Sequence, residues 1–108
     1  MRYKLDKGAH SVYALQYHFV QVVKYRKQVF DDEKIIDLLK QKIRVINGFV
    51  TVLNIECDKD NFHMIFQAKP TLIIPKYLNA IKTITSREIK RNFPEIKQKL
   101  SNDAFWST

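Results

Sequence analysis

Residues 49–68 read Phe-Val-Thr-Val-Leu-Asn-Ile-Glu-Cys, then Asp-Lys-Asp, then Asn-Phe-His-Met-Ile-Phe-Gln-Ala. Two runs rich in β-branched and aromatic residues, both free of Gly and Pro, flank a short polar turn at Asp58-Lys59-Asp60, the pattern of a β-hairpin. Successive strand side chains point to opposite faces. The first run, Phe49 to Cys57, therefore sets Phe49, Thr51, Leu53, Ile55 and Cys57 on one side and Val50, Val52, Asn54 and Glu56 on the other. The second, Phe62 to Ala68, sets Phe62, Met64, Phe66 and Ala68 on an apolar face and His63, Ile65 and Gln67 opposite, with Asn61 on the side of His63.

Working upstream, Ile35, Ile36, Leu39, Ile43 and Ile46 recur at helical spacing behind Asp31 and Asp32, whose carboxylates can cap a helix, and Asn47-Gly48 is a suitable stop. Before that helix, Ser11 to Val23 reads as one long strand. Tyr13, Leu15, Tyr17 and Phe19 share one of its faces; Val12, Ala14, Gln16, His18 and Val20 share the other, whose polar centre suits a face used for binding. A basic knot, Lys24-Tyr25-Arg26-Lys27, follows the strand, while Met1 to Gly8 only alternates charge with polarity.

Downstream, Lys69-Pro70 breaks the chain, and from Pro75 a second amphipathic helix runs through Leu78, Ile81, Ile84, Thr85 and Ile89 to about Arg91. Lys76, Lys82, Arg87, Lys90 and Arg91 give this helix a basic side that only Glu88 opposes, and Pro94 closes it. Glu95 to Asp103 is a polar stretch, and Ala104 to Thr108 fits a short last strand. The order β-α-β-β-α-(β) predicts an α+β fold: a ferredoxin-like, split βαβ antiparallel sheet with both helices packed on one face and the other face free to bind. Many unrelated functions share that architecture, so it does not choose among them.

At 108 residues and 45% hydrophobic, residues 1–108 make one domain. Nineteen Lys and Arg against 11 Asp and Glu give a net charge of +8, which favours a polyanionic partner, nucleic acid first. The single cysteine, Cys57, excludes an internal disulfide framework and a thiolate zinc cluster. No apolar run approaches the roughly 20 residues that span a bilayer, so the expectation is a cytoplasmic protein without a membrane partner.

Three ordered segments carry a resemblance to a known family. They are Tyr13-x-x-x-Tyr17-His18 running into Val22-Val23-Lys24-Tyr25-Arg26; Asp58-Lys59-Asp60-Asn61-Phe62-His63-Met64; and Lys69-Pro70 followed by Leu78 to Thr83 and Thr85-Ser86-Arg87. Phe105-Trp106-Ser107 adds to them. Together the segments resemble the HUH-type, single-tyrosine transposases of the smallest bacterial insertion sequences, the IS-two-hundred-like group. The resemblance implies a homodimer that binds hairpin-forming single-stranded DNA at the ends of the element. It also implies a divalent metal, Mg²⁺ or Mn²⁺, held by a His-x-His pair on one strand, and a tyrosine on a C-terminal helix that attacks the scissile phosphate to give a 5′-phosphotyrosine. That helix supplies a glutamine ligand as well.

Two departures qualify what carries over. Residues two apart on a strand point the same way, so His-x-His aims two imidazoles at one ion; this chain has His63 but Asn61 in the first position, which leaves an amide oxygen and an expected weak or absent metal. The chain also stops at Thr108, just past the Phe-Trp-Ser that precedes the family's tyrosine helix, so these 108 residues are expected to lack strand-transfer activity. No catalytic residue is assigned to Tyr3, Tyr13, Tyr17, Tyr25 or Tyr77.

His63 reads either as a remnant metal ligand or as an ordinary residue of an amphipathic strand, and His18 as a DNA contact, a buttress of the metal site or a sheet residue. Phe105 and Trp106 anchor the tail or stack on a base. Lys82, Ser86, Arg87, Lys90 and Arg91, with Lys24, Arg26 and Lys27, are the expected DNA-binding residues, against the alternative of a solvated helix face. A general RNA- or DNA-binding split-βαβ module without catalysis stays open as the competing function.

Overall fold

The computed structural model describes residues 5–7, 13–46, 50–100 and 104–107. Its elements are β1 (Leu5–Lys7), β2 (Tyr13–Val22), a 3-10 turn (Lys24–Arg26), α1 (Glu33–Val45), β3 (Val50–Cys57), β4 (Asn61–Ala68), α2 (Ile74–Asn92) and α3 (Pro94–Lys99). Ser11 and Val12, the helix-ending Asn47-Gly48, Phe49, the end of the polar stretch at 101–103 and Thr108 lie outside the described residues.

The sheet has the order β1-β2-β4-β3, and each neighbouring pair is antiparallel. β2 and β3 thus run parallel with β4 between them, and α1 makes the crossover, which is the split βαβ arrangement. Both long helices cover one face. Asp32 caps α1 by accepting from Lys34 N at 2.9 Å, and Ile35, Leu39 and Ile43 form its buried stripe. In α2 the buried stripe is Tyr77, Ile81, Thr85 and Ile89, again four residues apart, with Pro75 in the first turn. The helices are tied by Lys42 Nζ to Glu88 Oε1 at 3.3 Å.

β4 is the centre of the core: Phe62, Met64, Phe66 and Ala68 are all buried beneath the helices. Each of the three large ones contributes about 2 kcal/mol by leaving water. Tyr17 stacks on Phe66 from β2 (5.3 Å between ring centroids), and Tyr77 reaches Phe66 from α2 (5.2 Å). No helix among the described residues is long and apolar enough to cross a membrane.

Four local features differ from the sequence reading. Residues 5–7, read as part of a merely polar N-terminal stretch, form β1 and pair with Tyr13 to Leu15 of β2. In β3 the register shifts between Val52, opposite Phe66, and Asn54, opposite Ile65, so Leu53 is the extra residue of a β-bulge. The bulge switches the face of the strand: Val50, Val52, Ile55 and Cys57 meet the core, whereas Thr51 and Leu53, expected beside Ile55, are exposed. Pro94, expected only to close α2, opens the extra helix α3 at the start of the polar stretch, and Ile96 and Leu100 are buried there. Finally, the expected last strand is reduced to a single bridge between Trp106 and Val23, at the end of β2 opposite its pairing with β1.

Candidate functional site

The side chains of β2, β4 and β3 that alternate with the core residues form the sheet's outer face, where α1 and α2 do not pack. Asn61 and His63 lie two apart on this face of β4, both partly exposed, as their spacing predicts. His18 joins them from β2, its ring edge-on to that of His63 with centroids 5.6 Å apart. From β3, the residue opposite His63 is Glu56, whose Oε2 lies 3.5 Å from His63 Nε2. Among the described residues, no group of three or more His, Cys, Asp or Glu converges as a ready metal cluster.

Asn61 is engaged on its other side. Its Nδ2 donates to Asp60 Oδ1 at 2.7 Å, leaving the amide oxygen as the donor atom it could offer a cation. The second oxygen of Asp60 accepts from Arg26 Nε at 3.1 Å. One carboxylate therefore links the candidate ligand to the basic turn that follows β2. The hydrogen bond from Asn61, and after it the bond from Arg26, hold the Asp60 carboxyl below its usual range, since both favour the charged form.

The basic turn is locked from several directions. Val23 N donates to Asp60 O, Lys24 N to Phe105 O and Arg26 N to Val23 O, at 2.8 to 2.9 Å. Within it, Tyr25 (φ 59°) and Arg26 (φ 53°) both occupy the left-handed region, at a cost on the order of 1 kcal/mol each for residues with a β-carbon. Tyr25 is 65% exposed, and Lys24 Nζ lies 5.4 Å from its ring centroid. Lys27 is exposed beside it. The left-handed backbone of a bulky residue such as Tyr25 has no periodic signal in the sequence to reveal it.

The cations of α2 sit elsewhere. Lys76, Arg87 and Arg91 project from the helix side opposite Tyr77, Ile81, Thr85 and Ile89, and so away from the sheet, while Lys82, Ser86 and Lys90 lie on its partly buried flanks. Ser86 turns its hydroxyl back to Thr83 O at 3.2 Å. Glu88 leaves the basic face largely unopposed: it is turned toward α1 and Lys42, with Arg91 at 3.9 Å. The α2 group and the Asn61–His63 pair thus occupy opposite faces of the molecule. The charged groups in contact with the pair are Asp60 and Glu56, with Arg26 on the second oxygen of Asp60.

Phe105 and Trp106 are anchors. Both are buried, and Trp106 Nε1 donates to Thr85 Oγ1 at 3.0 Å while its ring meets Phe62 and Phe105. Gln21, which sequence reasoning passed over, is buried on the core face of β2; its Nε2 donates to Ser107 O at 2.8 Å and so fixes the same tail. Ser107 N donates to Val22 O, the residue paired with Asn61, so the tail is fastened at the sheet end that carries Asn61.

Comparison with known proteins adds the following. Residues 11–108 match the family described as IS200-like transposases. The chain is 35% identical over 107 residues to the ISDra2 transposase TnpA of Deinococcus radiodurans, covering 96% of this chain and 75% of that protein. It is 30% identical over 101 residues to the transposase for insertion sequence element IS200 of Salmonella typhimurium, covering 91% of this chain and 65% of that one. A crystal structure of a candidate transposase from Deinococcus radiodurans superposes with a TM-score of 0.82 at 33% identity, covering 94% of this chain and 79% of the other.

Proposed function

The chain belongs to the IS200-like transposases, and from that membership we propose that it binds hairpin-forming single-stranded DNA of insertion-sequence ends, with metal-assisted cleavage and strand transfer impaired or absent in these 108 residues. The observation that carries the reading is an open sheet face on which Asn61 and His63 stand side by side, joined through Asp60 to the basic turn.

Lys24, Arg26 and Lys27 are the first phosphate contacts in this reading, because they flank the open face. His18 adds a polar group beside His63. Lys82, Ser86, Arg87, Lys90 and Arg91 form a second, separate surface for the flanking strand or for the stem of the hairpin. In the family a divalent metal polarises the scissile phosphate. Here the donor set is one imidazole and one amide oxygen, which suits a hard cation such as Mg²⁺ or Mn²⁺ only weakly. A homodimer in the cytoplasm completes the reading. Among the described residues β3 pairs only with β4, so its outer edge is open to a second copy, although the bulge at Leu53 interrupts that edge.

Fluorescence anisotropy with a labelled DNA hairpin bearing a single-stranded flank tests this directly. Binding at low salt is expected, with the logarithm of affinity falling by roughly 0.7 per phosphate contact for each unit of log salt. Absence of binding at low salt overturns the reading, and a marked preference for an RNA hairpin moves it to a general RNA-binding module. Incubation with Mn²⁺ should give no covalent protein–DNA adduct on a denaturing gel; an adduct would show that catalysis is retained.

A further inference from the structure

We propose that Tyr25 is a stacking platform for one unpaired base of the bound single-stranded DNA. This rests on the reading above and names a specific contact within it. Three observations carry it. The ring is 65% exposed, whereas Phe19, Phe30, Phe62, Phe66, Tyr77, Phe105 and Trp106 are packed in or against the core. Its backbone is left-handed at φ 59°, followed by Arg26 at φ 53°, two costly conformations in succession. Such strain persists only where the surroundings over-determine it, and here Asp60 and Phe105 clamp the turn from two sides.

The 3-10 turn buries no side chain of its own, although Val23 before it and Val29 after it are fully buried. What the conformation does is carry an aromatic ring out among Lys24, Arg26 and Lys27. Rings interleaved with cations are the pattern that binds single strands, since every base has a π-face and every nucleotide a phosphate. A base in a duplex is already stacked on its neighbours, so the ring favours the single-stranded flank or loop of a hairpin over its stem.

The experiment compares wild type, Tyr25→Phe, Tyr25→Ala and Tyr25→Gly by anisotropy on a DNA hairpin with a single-stranded flank, and on the same hairpin with abasic residues in that flank. Each variant's thermal midpoint is measured alongside. Tyr25→Phe should bind within about twofold of wild type, because stacking needs the ring and not the hydroxyl. Tyr25→Ala and Tyr25→Gly should bind about five- to a hundredfold more weakly. On the abasic flank all four proteins should converge. Tyr25→Gly should also melt higher than wild type, since glycine adopts positive φ without penalty. The inference fails if Tyr25→Ala binds like wild type while wild type binds well, which leaves DNA binding itself standing. It fails equally if Tyr25→Gly melts lower than wild type, which makes the ring structural, or if Tyr25→Phe loses affinity as Tyr25→Ala does. If wild type does not bind the hairpin at all, this inference and the DNA reading fall together.

Discussion

Thr85→Val tests whether Trp106 is locked into the core. Thr85 is fully buried; its hydroxyl accepts from Trp106 Nε1 at 3.0 Å and donates to Ile81 O at 2.6 Å. Valine keeps the shape and removes the acceptor. The indole N–H, enclosed by Phe30, Phe62 and Phe105, is then left without a partner. Ile81 O loses only its second bond, since a helix carbonyl keeps its i+4 partner. A stranded buried donor costs about 1–3 kcal/mol, and the extra apolar methyl offsets part of this, so a net loss of about 1–2 kcal/mol is expected. For a domain of this size that lowers the melting midpoint by about 5–15 °C. Trp106 is the only tryptophan, so urea unfolding followed by its fluorescence reports on the site directly. In a Trp106→Phe background, where no indole N–H exists, Thr85→Val should cost less than about 0.5 kcal/mol. Equal costs in the two backgrounds, or a stable Thr85→Val protein with tenfold weaker DNA binding, would refute the anchor and return Trp106 to base contact.

The bulge in β3 predicts that Leu53→Lys leaves the urea midpoint nearly unchanged, because Leu53 is 47% exposed, whereas Ile55→Ala, at a 3% exposed position, costs about 2–4 kcal/mol. A regular strand would make both costly. Asp60 predicts a pH dependence: its folded carboxyl is depressed, so its contribution is complete above the ordinary carboxylate value of 3.8 and disappears as pH falls through the lower folded value. Urea midpoints of wild type and Asp60→Asn should therefore differ by a constant amount from pH 5 to 7 and converge in stronger acid, and a gap that widens in acid would contradict the Asn61–Asp60–Arg26 link. Burial pushes the Cys57 thiol from 9.0 up to about 11, with Lys40 opposing and Asp58 adding to the shift. At pH 8 its thiolate should be about 100-fold scarcer than in the unfolded chain, and iodoacetamide should react correspondingly more slowly with the native protein. Equal rates would mean an exposed thiol.

Sequence periodicity was sufficient for β4, α1 and α2. Phe62, Met64, Phe66 and Ala68 at every second position, and Ile35, Leu39, Ile43 or Ile81, Thr85, Ile89 at every fourth, name their own buried faces, because side-chain direction within a regular element depends only on local geometry. The same rule put Asn61 and His63 on one side, and the ordered motifs carried the family. Packing between elements decided the rest. Leu53 is the extra residue because β3 must match β4 on both sides of the bulge, a constraint that lies in the partner strand and not in β3. Glu88 meets Lys42, and Asp60 meets Arg26, through contacts between residues 34 or more positions apart. The α2 cations and His63 lie on opposite faces because each follows its own element's periodicity, while only the stacking of helix on sheet sets those elements' directions relative to each other. Tyr25 is left-handed for the same reason: Asp60 and Phe105, distant in the chain, hold a turn that local sequence alone would not choose.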